Sequence, residues 1–189
     1  WSSPELARVE NGSLVFSRNH TYTKSLAEQS WRFFLEWTVT PPHRSSALFR
    51  LGGVACVGLN EDGTFFYMSG GKKRTCGSYK ADTPVTCKVE ADLESQRYNF
   101  YAGDALLADF VPTLSAKPVT SWVIENAKDL VLHHVWGVGY VKTPQTNDAQ
   151  WREVPFSINT FIDEDFQVRP SPQGWTSIGY NDQQWKQTS

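Results

Sequence analysis

Three carboxylates stand at alternate positions in one short segment, at Glu90, Asp92 and Glu94. From Val85 onward the segment alternates between apolar and polar residues, which is typical of a β-strand with one buried and one wet face. A period of two places all three carboxylates on the polar face. Hydrolysis of a glycosidic bond by a retaining mechanism needs two carboxyl groups about 5–5.5 Å apart. Residues two apart on a strand are separated by roughly 7 Å at the backbone, so these side chains would have to converge.

A charged strand face is more often simply solvated than catalytic. We therefore favour a solvated or sugar-contacting face here, and keep catalysis by Glu90 and Glu94, with Asp92 between them, as the alternative.

A second set of candidate ligand-binding residues lies on a long predicted strand over residues 129–141. Alternation places His134, Trp136 and Tyr140 on one face of this strand, where they would either contact a ligand or belong to the core. His133 and His134 are adjacent, so regular strand geometry predicts that they face opposite sides of the sheet and cannot share a metal ion.

Other site chemistries have little support. The three cysteines fit no zinc-binding spacing, and Cys87, on the apolar face of its strand, is predicted to be a buried thiol. No G-x-S-x-G or phosphate-binding loop occurs. Calcium is left open: no segment reproduces a calcium-loop spacing, but acidic and amide oxygens are present at Asn60, Asp62, Asp104, Asp109, Asp163 and Asp165.

The elements that would position these residues are all strands. Residues 85–94, 97–101 and 106–111 predict a meander of three antiparallel strands, with turn residues between them. Residues 30–40 predict a central strand that ends at Pro41-Pro42. Residues 19–25 and 70–78 are predicted to be loops, with a brief helical turn over 27–29. No segment shows a sustained helical period, so we predict an all-β antiparallel β-sandwich.

Composition excludes several function classes. The 189 residues suffice for one large β-sandwich, and the net charge of -2 gives no electrostatic case for binding nucleic acid. No apolar segment is long enough to span a bilayer. Aromatic residues make up 14% of the chain, with eight Trp. Most will fill the core, but such an excess is also typical of surfaces that bind sugars by stacking.

The segment R-Y-N-F-Y-A-G-D, at residues 97–104, and the alternating strand before it resemble the middle of laminin-G-like and other concanavalin A-like jelly-roll domains. I-D-E-D-F-Q-V, at residues 162–168, resembles the closing strand of such domains. The E-x-D-x-E segment is similar to family 16 glycosidases of the same fold, in which one Glu is the nucleophile and the other the acid/base. The sequence departs from that family at Ala91, where a bulky β-branched residue is usual.

The segment Y-N-D-Q-Q-W-K, at residues 180–186, resembles the start of the sugar-binding domain of family 2 glycoside hydrolases. The resemblances imply a concanavalin A-like domain over residues 1–170, followed by a linker or the start of another domain over 171–189. We expect the chain to be part of a longer protein.

The function that these resemblances imply is a non-catalytic carbohydrate-binding or accessory domain of a secreted, periplasmic or cell-surface glycoside hydrolase. Its partners would be a poly- or oligosaccharide and a following glycosidase domain in the same chain. Two alternatives remain: a small family 16-like retaining glycosidase that uses Glu90 and Glu94, and a laminin-G-type structural or protein-interaction module.

Overall fold

The computed structural model describes residues 7–142 and 151–156. None of these residues is helical, and they form fourteen β-strands. The strands are β1 (Ala7–Glu10), β2 (Ser13–Phe16), β3 (Thr21–Gln29), β4 (Arg32–Thr40), β5 (Leu48–Leu51), β6 (Ala55–Leu59), β7 (Thr64–Ser69), β8 (Lys72–Ser78), β9 (Val85–Asp92), β10 (Arg97–Ala102), β11 (Ala105–Pro112), β12 (Val119–Glu125), β13 (Val131–Lys142) and β14 (Trp151–Phe156).

The strands form two antiparallel sheets. The larger sheet has the order β1-β2-β13-β4-β9-β10-β11, with β14 paired to β13, and the smaller has the order β3-β12-β5-β6-β7-β8. The predicted meander is present as β9, β10 and β11, which are neighbours in the larger sheet. The central strand predicted over residues 30–40 is β4, which pairs with β9 and β13 and ends directly before Pro41.

The core lies between the two sheets and follows from alternation along their central strands. From β4, Phe33, Leu35, Trp37 and Val39 are all buried. Trp122 on β12 faces them from the smaller sheet, with its ring centroid 5.8 Å from that of Trp37. Because each central strand contributes one apolar row, the two sheets bury a continuous apolar layer. The predicted fold class, an all-β antiparallel sandwich, is confirmed.

Two loop predictions were wrong, and both concern the edges of the smaller sheet. The loop predicted over residues 19–25 and the helical turn predicted over 27–29 are mostly part of strand β3. Only Tyr22 and Leu26 of this strand are buried. The predicted loop over 70–78 is mostly β8, in which no residue is fully buried. An edge strand buries little, so its sequence lacks apolar alternation. The left-handed φ angles of Gly70 and Gly71 make the two-residue turn that pairs β8 with β7.

All three cysteines, Cys56, Cys76 and Cys87, are free thiols. Cys87 is buried, as its place on the apolar face of β9 predicts, and burial raises its pKa. Burial also raises the pKa of Cys76, to about 11. These thiols are therefore protonated near neutral pH.

In the part of the chain that the structure describes, no helix has the length and apolar character needed to cross a membrane. The predicted domain boundary near residue 170, the sugar-binding-domain resemblance at 180–186, and the candidate oxygen ligands Asp163 and Asp165 lie outside the described residues.

Candidate functional site

The candidate site lies on the open face, the side of the larger sheet turned away from the smaller sheet. Residues that alternate with the buried rows of β10, β9, β4 and β13 form ordered cross-strand rows on this face. In strand order, the three rows are Arg97–Asp92–Arg32–Tyr140, Asn99–Glu90–Phe34–Val138 and Tyr101–Lys88–Glu36–Trp136. Direct cross-strand neighbours have Cβ atoms about 4.5–5.5 Å apart, so neighbouring side chains on β10, β9 and β4 within a row are close enough to interact.

A depression of about 580 Å³ opens on this face. It lies over the first two rows and reaches the β9–β10 turn at one end and β11 at its side. Its lining combines aromatic rings with charged and amide groups, and consists of Trp31, Arg32, Phe33, Phe34, Glu90, Ala91, Asp92, Ser95, Arg97, Tyr98, Asn99 and Phe110.

Asp92 is fully engaged by its neighbours. Its Oδ2 accepts hydrogen bonds from Arg32, with the Arg32 Nη2 atom at 2.9 Å, and its Oδ1 accepts from the backbone N–H groups of Glu94 and Ser95, at 3.1 Å each. Partial burial raises the pKa of Asp92, but the turn amides and the Arg32 guanidinium outweigh it and hold the pKa below its ordinary value. Asp92 therefore stabilises the β9–β10 turn as a carboxylate.

This lowered pKa predicts an acid-dependent loss of stability. A carboxyl whose pKa is depressed by folding contributes stability that is present above its unfolded pKa, about 3.9, and is lost as the pH falls through its folded value. We expect Asp92→Asn to have a lower unfolding free energy than wild type at pH 6, and the difference to shrink toward pH 2.5. Urea unfolding followed by tryptophan fluorescence measures it. Exposed Asp104→Asn, in the β10–β11 turn, is the control; equal pH slopes for wild type and Asp92→Asn would contradict the assignment.

Glu90 is also held by two partners. Its Oε1 accepts from Lys88 Nζ at 2.7 Å, and its Oε2 accepts from the Tyr101 hydroxyl at 2.8 Å. Lys88 Nζ lies 4.4 Å from the centroid of the Tyr101 ring. Burial raises the pKa of Tyr101, and the hydrogen bond to the Glu90 carboxylate raises it further, so the hydroxyl stays a donor over the physiological range.

Glu94, the third carboxylate of the predicted catalytic set, is placed differently. β9 ends at Asp92, and Glu94 lies in the following turn. Its Oε2 accepts a hydrogen bond from Trp31 Nε1 at 3.0 Å. The strand therefore presents two of the three carboxylates on the open face, and the third belongs to the turn beside the depression.

Trp136 and His134 are both on the open face, as the alternation predicts. Trp136 is half-buried, donates from Nε1 to Glu36 at 2.6 Å, and packs edge-on against Phe34 with ring centroids 4.7 Å apart. Through Phe34 it adjoins the depression without lining it. His134 is exposed, opposite Thr38. The backbone of Tyr140 pairs with that of Arg32, at the β13 end of the first row.

The prediction that His133 and His134 face opposite sides was wrong. A β-bulge between Leu132 and His134 shifts the register of β13 against β4. His133 Nδ1 lies 2.9 Å from the Ser13 hydroxyl and its Nε2 lies 2.7 Å from the Thr40 hydroxyl. Both hydroxyls belong to the open face, so the extra residue brings both imidazoles to that face.

Phe110 is a lining residue that the sequence did not single out. It is 61% exposed and has a left-handed φ of 48°. Its backbone N–H donates to Asn99 Oδ1 at 2.8 Å, and its carbonyl accepts from Arg97 Nη1 at 3.3 Å. The only signal was the loss of alternation in the segment A-D-F-V, since a bulge in β11 lets Phe110 turn out of the sheet.

The oxygen ligands considered for calcium are distributed over separate elements. Asn60 and Asp62 bind Thr64 within the β6–β7 turn, where the hydrogen bond from the Thr64 side chain lowers the pKa of Asp62. Asp104 is in the β10–β11 turn and Asp109 is on β11. Across residues 7–142 and 151–156, no cluster of three or more His, Cys, Asp or Glu side chains is arranged to hold a metal ion.

No family model matches the sequence, and a search of curated proteins finds no match. Solved structures do match. The chain is similar to Trypanosoma rangeli sialidase in complex with 2,3-difluoro-KDN, with a TM-score of 0.58 and 14% identity over 70% of this chain. It is also similar to a second solved sialidase, with a TM-score of 0.58 and 8% identity over 72% of this chain. The matches span only 26% and 17% of those chains, and they show a shared fold.

Proposed function

We propose that this domain binds a carbohydrate in the depression on the open face and does not hydrolyse it. The observation that carries the proposal is the composition of the depression. The half-buried ring of Phe34 and the exposed ring of Phe110 offer flat apolar surfaces, beside the amide of Asn99 and the guanidinium groups of Arg32 and Arg97. Sugars present the matching combination, an apolar ring face bordered by hydroxyl groups, and a volume of 580 Å³ is in the range of small-ligand sites.

The state of the carboxylates favours binding over catalysis. A retaining glycosidase needs one protonated carboxyl with a raised pKa and one carboxylate that is free to attack. Here both oxygens of Glu90 accept hydrogen bonds, from Lys88 and Tyr101, and Asp92 is held by Arg32 with its pKa lowered. Glu94 lies in the turn beyond the strand. This arrangement suits a fixed polar surface better than a pair of reacting groups.

The proposal extends to the longer protein of which this domain would be a part. Two solved relatives in fold are sialidases, and the sequence resembles concanavalin A-like domains of glycoside hydrolases. We propose that the domain is an accessory module of a secreted or cell-surface glycoside hydrolase, in which it would hold the polymer near a catalytic domain of the same chain. A family 16-like glycosidase and a laminin-G-type interaction module are the two alternatives that an experiment has to separate.

Isothermal titration against a panel of oligosaccharides tests the proposal, with reducing-sugar release measured on the same samples. We expect binding without release, and a loss of affinity of about tenfold in Phe34→Ala, because a stacked aromatic ring contributes about 0.5–1.5 kcal/mol beyond its burial. Val123→Ala, a half-buried apolar residue on the outer face of the smaller sheet, is the matched control and should bind like wild type.

Two outcomes would contradict the proposal. Sugar release by wild type that disappears in Glu90→Gln would make the domain a glycosidase. Absence of any binding across the panel by a protein that remains folded would favour the interaction module.

A further inference from the structure

We infer that the saccharide bound in the depression is acidic, with a carboxylate or sulfate group that pairs with Arg97 while its sugar ring lies against Phe110. This inference rests on the proposed function and names the ligand class of the same site.

The first cross-strand row carries an excess positive charge. It places Asp92 between two arginines, Arg97 on β10 and Arg32 on β4. The Asp92 carboxylate is already used, by Arg32 at one oxygen and by the two turn amides at the other. One carboxylate therefore neutralises one guanidinium, and Arg97 remains as the second cation of the row.

The other carboxylate that lines the depression does not neutralise Arg97 either. Glu90 is in the second row and is paired with Lys88, with the two charged atoms 2.7 Å apart. Among the described residues, no carboxylate oxygen lies within 4 Å of the Arg97 guanidinium. The only hydrogen bond found for this guanidinium in that part of the chain is the one from Nη1 to the Phe110 carbonyl. A guanidinium has five N–H donors in a planar fork, so most of the donors of Arg97, a lining residue of the depression, have no partner among the described residues.

Phe110 is held beside this cation at an energetic cost. A non-glycine residue with a left-handed φ is strained, and Phe110, which is 61% exposed, gains little stabilisation from burial to offset this strain. The conformation is maintained from β10, since Asn99 binds the Phe110 N–H and Arg97 binds its carbonyl. Arg97, which supplies the unneutralised positive charge, therefore also helps to hold Phe110 in this conformation.

Together, the Arg97 guanidinium and the Phe110 ring favour an acidic sugar over a neutral one as the ligand. The Arg97 guanidinium carbon lies 6.0 Å from the centroid of the Phe110 ring, so a sugar ring stacked on Phe110 would bring a substituent on its edge within reach of Arg97. A planar guanidinium binds a carboxylate or sulfate through two parallel hydrogen bonds, which are stronger than bonds to neutral hydroxyls. A neutral hydroxyl would leave the charge of Arg97 uncompensated.

Matched saccharides test this inference by isothermal titration at low and at physiological salt. The probes are galactose, galacturonic acid and galactose sulfate oligomers of equal length. We expect the acidic oligomers to bind at least tenfold more tightly than the neutral one, and the preference to weaken with salt. In Arg97→Gln the acidic-to-neutral affinity ratio should fall to about 1. Arg74→Gln, an exposed arginine on β8, should keep the wild-type ratio.

The possible results separate this inference from the proposed function. Equal binding of neutral and acidic oligomers, lost in Phe34→Ala but with a ratio unaffected by Arg97→Gln, would overturn the acidic ligand and leave carbohydrate binding intact. No binding of any oligomer by the folded protein would overturn both. A preference for either the carboxylated or the sulfated oligomers that depends on Arg97 would support the inference and identify which acid group is bound. Phe110→Ala should weaken binding of the acidic oligomers, and unchanged affinity there would refute the stacking role.

Discussion

Replacing Trp122 with alanine should lower the unfolding free energy of the domain by about 3–5 kcal/mol, the usual cost of removing a buried large aromatic side chain. Trp122 is fully buried, and its ring lies against those of Trp37 and Phe49 at the contact between the two sheets. The substitution would leave a cavity between two sheets whose backbones are fixed by their hydrogen bonds. Domains of this kind are stable by only about 5–15 kcal/mol, so urea unfolding should show a large shift in midpoint.

The variant Trp122→Phe separates the packing of the aromatic ring from the effect of the indole N–H group. The Trp122 Nε1 atom is buried and has no hydrogen-bond partner among the described residues. Phenylalanine removes this unsatisfied donor and keeps most of the apolar contact, so we expect it to cost much less than alanine. If the two variants lost the same stability, the packing role assigned to the indole ring would be wrong.

Adding a single methyl group at Gly58 should also destabilise the domain strongly, by about 1–3 kcal/mol or more. Gly58 is on β6, at the centre of the smaller sheet. A Cβ atom there would collide with the backbone carbonyl of Ala47 and lie 2.6 Å from the Phe66 ring. The carbonyl cannot move away freely, because it accepts a hydrogen bond from Leu59 at 2.8 Å. Thermal unfolding of Gly58→Ala measures the loss.

Gly139→Ala serves as the matched control. A Cβ atom at Gly139 on β13 would also collide, but its neighbour is the end of the Gln29 side chain, which can rotate away. We therefore expect Gly139→Ala to be clearly less destabilising than Gly58→Ala. The reverse order would show that the contact with the Ala47 backbone does not limit the packing of the smaller sheet.

The central strands could be predicted from the sequence because they bury one complete face. Alternation in residues 30–40 and 85–94 is strong for this reason, and both segments form strands, as β4 and β9, except for two residues at one end of each. The edge strands β3 and β8 were missed because they bury few side chains, and little in their sequence is selected for a face. Gly70-Gly71 was the available signal for β8, since two adjacent glycines between a mainly apolar segment and a basic one favour a hairpin turn.

The sequence predicts which face a candidate-site residue occupies only where the strand that carries it is regular. Glu90 and Asp92 share the open face as expected, whereas Glu94 lies beyond the end of the strand. The bulge at His133 and the left-handed φ of Phe110 each reverse the side to which a residue points. Both depend on contacts with neighbouring strands, and of the two only the turn-out of Phe110 has a local sign, the loss of alternation in A-D-F-V.

Among the described residues β8 pairs only with β7, and this edge of the smaller sheet bears on how the domain behaves at high concentration. An unpaired strand edge can add to the edge of another copy and so begin a growing aggregate. β8 presents Lys72, Lys73 and Arg74 in succession along this edge, and all three are exposed. Two copies that approached edge to edge would bring like charges together and would have to strip water from the ammonium and guanidinium groups. We therefore expect these three cations to oppose edge-to-edge association of the domain through its smaller sheet.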